Sequence, residues 1–181
     1  DSIFKECLND PDTEIRSKAI EGLWENQEPS LIISLINLLE NDNSEMVQAT
    51  AATALGKFVM LARDKKLRSS HVSNVHQALL ATISNKNKSG EVRRRALEAA
   101  APICLPEVAK AIKTAYQSSD HKLKVSAIYA MGKNCDPAWL SILLTDLESP
   151  DAEIRYEAAR ACGELGEEEA APHLVKLAQE S

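Results

Sequence analysis

The sequence predicts an all-α fold, a right-handed α-α superhelix in which helical hairpins stack into a solenoid. Three observations predict it. The chain is 44% hydrophobic but only 4% aromatic, the Ala- and Leu-rich balance of helices rather than the β-branched and aromatic balance of sheets. One phrase of ten residues recurs along the chain. Capping residues and prolines stand at constant offsets from it.

The phrase reads "IRSKAIEGLW" from Ile15, "VQATAATALG" from Val47, "VRRRALEAAA" from Val92, "LKVSAIYAMG" from Leu123 and "IRYEAARACG" from Ile154. Its spacings are 32, 45, 31 and 31 residues, and a steady period with one insertion is the signature of stacked repeats. Each copy opens on an aliphatic residue and carries Ala four positions later, at Ala19, Ala51, Ala96, Ala127 and Ala158. Eight positions after the opener stand Leu23, Leu55, Ala100, Met131 and Cys162. That spacing makes one face of an inner helix, and the small central residue lets a neighbouring helix approach closely. Three residues upstream of each copy stand Asp12, Ser44, Ser89, Asp120 and Asp151, all able to accept from the free amides of a first turn.

A second, outer helix follows each inner one. Pro29, Pro106 and Pro137 each sit 14 residues after an opener, where a missing amide costs nothing at a helix start. The outer helices are expected over about 30–40, 71–85, 106–117, 138–148 and 171–179, with the end of one more at 2–9. A lone hairpin cannot bury both of its apolar faces, whereas stacked hairpins share a continuous core. The expected organisation is a single domain over residues 1–181, a fragment of a longer chain, with a basic insertion at about 60–74 between the second and third repeats.

The pattern D-x-E-I-R-x-x-A-x-x-x-L-G, present as "DAEIRYEAARACG" and "DTEIRSKAIEGLW", resembles HEAT repeats of the phycobilisome-lyase type over essentially the whole chain. The resemblance implies a ladder between repeats, in which the basic residue after each opener joins acidic turn residues. Arg16, Arg93, Lys124 and Arg155 match it, while Gln48 departs, so an interruption is expected beside the insertion. Such repeats serve many tasks, and the fold does not choose among them.

Several function classes lack their residues. No apolar run approaches the roughly 20 residues that cross a bilayer, and no signal-peptide pattern opens the chain, so a cytoplasmic protein with no membrane partner is expected. Cys7, Cys104, Cys135 and Cys162 have no zinc-site spacing and read as free thiols. Cys104 and Cys135 share one repeat position, and helix layers about 8–10 Å apart argue against a disulfide between them. His71, His76, His121 and His173 form no metal motif, and Gly56-Lys57 lacks the upstream glycine of a phosphate loop. Cys162 and His173 are the sharpest nucleophile-base pairing, yet Cys162 holds a core position where burial blunts a thiol. No catalytic residue, metal or cofactor is therefore expected. Trp139 stands where Leu31 and Val108 stand in other repeats and should pack, whereas Trp24 replaces a repeat glycine and is expected in the core or at an interface.

Charge is distributed unevenly. Residues 57–95 carry +8 against −6 for the whole chain, leaving −14 on the remainder. The basic patch comprises Lys57, Arg63, Lys65, Lys66 and Arg68. Three readings fit it: a solvated insertion, a site for an acidic protein partner, or a nucleic-acid surface resembling that of HEAT-like DNA glycosylases. A second surface comes from positions 2, 3 and 6 after each opener, which line a wall of inner helices. There Arg94, Arg95, Tyr129, Tyr156 and Arg160 supply the aromatic and arginine mixture enriched in binding hot spots. The expected function is a non-enzymatic scaffold for a protein or peptide partner along that wall, with nucleic-acid binding through residues 57–95 as the alternative.

Overall fold

The computed structural model describes residues 1–134 and 136–180. Among them every regular element is helical, and the chain divides into two compact units, Asp1–Ala100 and Ala101–Ser181.

In the first unit α1 (Ser2–Cys7), α2 (Thr13–Gly22), α3 (Ser30–Asn41), α4 (Glu45–Arg63), α5 (Ser69–Ser84) and α6 (Gly90–Ala100) follow in order. The inner helices α2, α4 and α6 lie side by side; α3 and α5 form a second row packed on them. This is the α-α solenoid arrangement. Leu35, Leu39, Leu55, Phe58, Leu79 and Leu97 are fully enclosed between the rows, each worth about 1.5–3 kcal/mol relative to exposure. In the second unit α7 (Pro106–Tyr116) pairs with α8 (His121–Lys133), and a 3-10 turn (Pro137–Trp139) leads into α9 (Leu140–Asp146). Then come α10 (Ala152–Leu165), a second 3-10 turn (Glu168–Ala170) and α11 (Ala171–Glu180).

The central alanines of all five phrases are buried, as the close-approach argument requires. At Gly132 the approach is closer still: a Cβ there would meet the Ala161 Cα at 2.6 Å, so α8 and α10 touch at a position that admits no side chain. Asp12, Asp120 and Asp151 accept from first-turn amides, and the Ser89 hydroxyl accepts from the Val92 amide. Ser44 makes no side-chain cap; its amide donates instead to Asp42 Oδ1 at 2.8 Å. Gly166 ends α10 in the left-handed region at φ 76, where a Cβ is disfavoured.

Most of the extra residues between the second and third repeats are helical. They lengthen α4 to Arg63 and start α5 at Ser69, two residues earlier than expected. Lys65, with φ 59, turns the chain between them.

The ladder is realised unevenly. Arg16 makes it in full, with Nε and Nη2 each 2.8 Å from the Asp42 carboxylate and Nη1 on the carbonyls of Asp10 and Pro11. Burial works to raise the Asp42 carboxyl, but the Arg16 and Ser44 hydrogen bonds win and hold it below the usual range. Arg93 and Arg155 donate to backbone carbonyls instead, and Lys124 sits 4.8 Å from the Tyr116 ring centre. Where Gln48 departs, its amide donates to the Asp42 carbonyl, and Lys88 donates to its side-chain oxygen and to the Leu39 and Glu40 carbonyls. A cation from the next turn thus takes up the position that the glutamine leaves.

The thiol expectation needs correction. Cys7 and Cys162 are free, but Cys104 is disulfide-bonded; Cys135 lies outside the described residues. Cys104 lies in the irregular segment between α6 and α7 rather than in a regular helix layer. Layer spacing does not govern such a segment.

Candidate functional site

In the second unit, α8 and α10 present Tyr129, Tyr156 and Arg160. The Arg160 guanidinium carbon stands 4.7 Å from the Tyr129 ring centre, within cation-π range. Its Nε also donates to Glu157 Oε1 at 3.0 Å. Tyr156 is 69% exposed, so its ring is available to a partner. Tyr129 is half-buried beneath Arg160.

In the first unit, Arg94 and Arg95 lie on α6 and are both engaged by Glu91 and Glu98. Burial opposes ionisation of Glu91, yet the two guanidinium groups hold its carboxyl below the usual range. The four side chains sum to no net charge. Sequence spacing places these arginines on the wall but does not reveal that their own helix neutralises them at i+3 and i+4.

The basic patch is also divided. Lys57 Nζ donates to the Leu23 and Trp24 carbonyls at 2.7 and 3.0 Å, capping the end of α2. Burial pushes its ammonium down to about 8, with Glu25 acting in the opposite direction. Arg63, Lys65, Lys66 and Arg68 are exposed around the α4–α5 turn, and Lys66 lies 3.8 Å from Asp64.

Serine positions on the predicted wall are not all accessible. Ser17 and Ser126 are buried, and the Ser17 and Thr50 hydroxyls are 3.0 Å apart. Inner helices that pack side by side cover part of the surface expected to be open.

A feature missed by the sequence reading lies where α2, α4 and α6 converge. A cavity of about 480 Å³ opens there between Trp24, Met46, Thr50, Thr53, Glu91 and Arg95. Trp24 is 48% exposed and Met46 45% exposed, so of the two expectations for Trp24 the core is excluded and an interface position is left open. The signal was present, since a tryptophan stood at a repeat glycine; which side of the helix it would cover depended on the neighbouring helices. Trp139 instead packs as expected, 6% exposed, with Nε1 donating to Asn134 Oδ1 at 3.1 Å.

The described residues contain no group of three or more His, Cys, Asp or Glu side chains that would hold a metal ion. Cys162 is buried, and burial pushes its thiol up; His173 is exposed on α11. No described helix is long and apolar enough to cross a membrane.

The sequence pattern of HEAT repeats matches residues 1–69 and 108–181. No curated protein matches the chain. Among solved structures, the YibA protein of E. coli is similar with a TM-score of 0.68 and 19% identity, over 97% of this chain and 63% of its own. Kap121p is similar with a TM-score of 0.62 and 16% identity, over 97% of this chain and 20% of its own. A designed armadillo repeat protein in complex with the peptide (KR)4 is similar with a TM-score of 0.53 and 16% identity, over 97% of this chain and 87% of its own. The chain thus spans less than two thirds of YibA and a fifth of Kap121p.

Proposed function

Because the chain belongs to the HEAT repeat family, we propose that it is a non-enzymatic scaffold whose inner helices bind a protein or peptide partner. The exposed Tyr156 beside the Arg160–Tyr129 stack carries the proposal. An open aromatic ring next to an arginine already held in place offers contact area at low ordering cost. The proposed partner-binding residues are Tyr129, Tyr156 and Arg160 on α8 and α10 in the second unit and, separately, Arg94 and Arg95 on α6 in the first. Armadillo-type repeats of similar fold include a designed protein in complex with a peptide, which agrees with peptide recognition as a use for such walls.

The nucleic-acid alternative draws on residues 57–95, but much of that charge is committed within the protein. Lys57, Lys88 and Arg93 donate to backbone carbonyls, while Arg94 and Arg95 face carboxylates. Phosphate contacts require cations free to replace counterions.

The test is capture from the native host's lysate, with and without nuclease, using the wild-type chain and Tyr129→Ala/Tyr156→Ala. A discrete protein that survives nuclease and is lost by the variant is the expected result. Capture abolished by nuclease, or unchanged in the variant, would refute the proposal.

A further inference from the structure

We propose that the cavity against Trp24 is a subsite for an arginine or lysine side chain of a basic peptide segment, with the cation over the indole face and beside the Glu21 carboxylate. This deepens the peptide-scaffold proposal and rests on it, although it concerns a different surface. Four features of the first unit converge on it.

The indole is accessible and uncommitted. Trp24 is 48% exposed, and among the described residues no cation stands over its ring and no partner bonds its ring nitrogen, so the electron-rich face is open to a cation. Met46 and Ala49 supply an apolar lining for a side-chain stem, suiting the long aliphatic arms of Arg and Lys.

The cavity's polar groups favour a cation. Glu21 and Glu91 line it with Arg95 as the one basic lining residue, and Arg95 is already paired with Glu91 and Glu98. Among the described residues Glu21 pairs with Lys18 of its own helix, an exposed pair at 2.7 Å with the lysine side chain 76% accessible, which an incoming cation can displace at little cost. Thr50 and Thr53 spend their hydroxyl protons on the Met46 and Ala49 carbonyls. They offer no free donor to an anion.

The chain that supplies the α2 and α4 walls has the same sign. Residues 1–56 hold eleven acidic against three basic side chains, a net −8, whereas α6 belongs to the basic stretch 57–95 and its Arg94 and Arg95 are paired with Glu91 and Glu98. Lys57, which does not line the cavity, is held by the Leu23 and Trp24 carbonyls. The carboxylates on the α2 side attract a basic segment.

The experiment uses the full chain and three fluorescein-labelled peptides of equal length, in which serine alternates with arginine, glutamate or leucine. Anisotropy gives Kd, and the part of the tryptophan quenching that Trp24→Phe removes, leaving Trp139 as the emitter, reports on Trp24. The arginine peptide is expected to bind and quench, with weakening of about tenfold or more in Trp24→Ala, equivalent to about 1.4 kcal/mol. Glu21→Gln should weaken it about threefold, whereas Trp24→Phe, which keeps an aromatic face, should retain most of the affinity.

If Trp24→Ala does not fold, as judged by circular dichroism, Glu21→Gln and Trp24→Phe decide. Equal binding of the leucine or glutamate peptide would overturn the assignment, as would unchanged affinity in Trp24→Ala or competition by a labelled single-stranded DNA. The two proposals separate cleanly. A lysate partner lost with Tyr156→Ala but indifferent to Trp24 refutes this subsite and leaves the scaffold standing; arginine-peptide binding lost only with Trp24 supports the subsite, while the role of Tyr129 and Tyr156 is decided by the lysate capture.

Discussion

Replacing Asn134 by Leu should destabilise the second unit by about 3 kcal/mol, although the side chains are nearly equal in size. Asn134 is 5% exposed at the end of α8. Its amide donates to the Ala101 and Ile103 carbonyls at 2.8 and 3.3 Å, and its oxygen accepts from the Trp139 indole at 3.1 Å. These partners, two acceptors and one donor, dictate the orientation of the amide. Leucine would orphan the Ala101 carbonyl and the Trp139 N–H at about 1–3 kcal/mol each, while Ile103 keeps an acceptor role towards the Leu105 amide. The leucine itself would return roughly 1–2 kcal/mol by burial.

Urea unfolding followed by circular dichroism and by Trp139 fluorescence, in a Trp24→Phe background, measures the loss. Asn134→Asp should be worse at neutral pH, because a carboxylate would face two carbonyl oxygens and its folded pKa would rise. Its stability should therefore be highest below the unfolded value of about 3.9 and be lost as pH climbs through the folded one. A loss below about 1 kcal/mol for Asn134→Leu would refute the claim that this amide pins the segment before α7.

Four further outcomes concern packing in the second unit. Asp146 is 6% exposed; its Oδ1 accepts from the Tyr116 hydroxyl at 2.9 Å, and its Oδ2 has no hydrogen-bond partner. Burial raises its carboxyl more than Tyr116 and Lys124 lower it, and burial with Asp146 pushes the Tyr116 phenol up to about 12. A raised folded pKa contributes stability that is present below the unfolded value and lost as pH rises through the folded one. Asp146→Asn should therefore be neutral or stabilising at pH 7 and flatten that dependence, while Tyr116→Phe should cost about 1–3 kcal/mol; melting curves across pH test both. Gly132→Ala should destabilise despite better helix propensity, since overpacking of about 1–3 kcal/mol against Ala161 outweighs a gain near 1. Gly163→Ala, with nothing within 4 Å of its added Cβ, should stabilise by about 0.5–1 kcal/mol in the same thermal assay.

For the proposed binding residues, helix placement was legible in the sequence and bonding state was not. Arg94, Arg95, Tyr129, Tyr156 and Arg160 could be assigned to inner helices because a repeat transfers position from one copy to the next. Their partners could not be assigned in the same way. Glu91 and Glu98 neutralise the α6 arginines, and Lys57 turns back to the end of α2, because a long cationic side chain goes to whichever carboxylate or carbonyl the packing brings within reach. Cys104 illustrates the same limit, since periodicity describes helices and is silent about the segment that joins α6 to α7.

The period, the central alanines and the aspartate caps are local properties, and local chemistry sufficed to define the helices, their order and their buried stripe. Burial belongs to neighbours. Ile15 and Ile154 open nearly identical phrases, yet Ile15 is 43% exposed and Ile154 6%, because exclusion from water depends on what packs over a side chain. The Trp24 cavity has the same origin: no short window of sequence encodes a space bounded by three helices that are distant along the chain, and only their tertiary packing creates it.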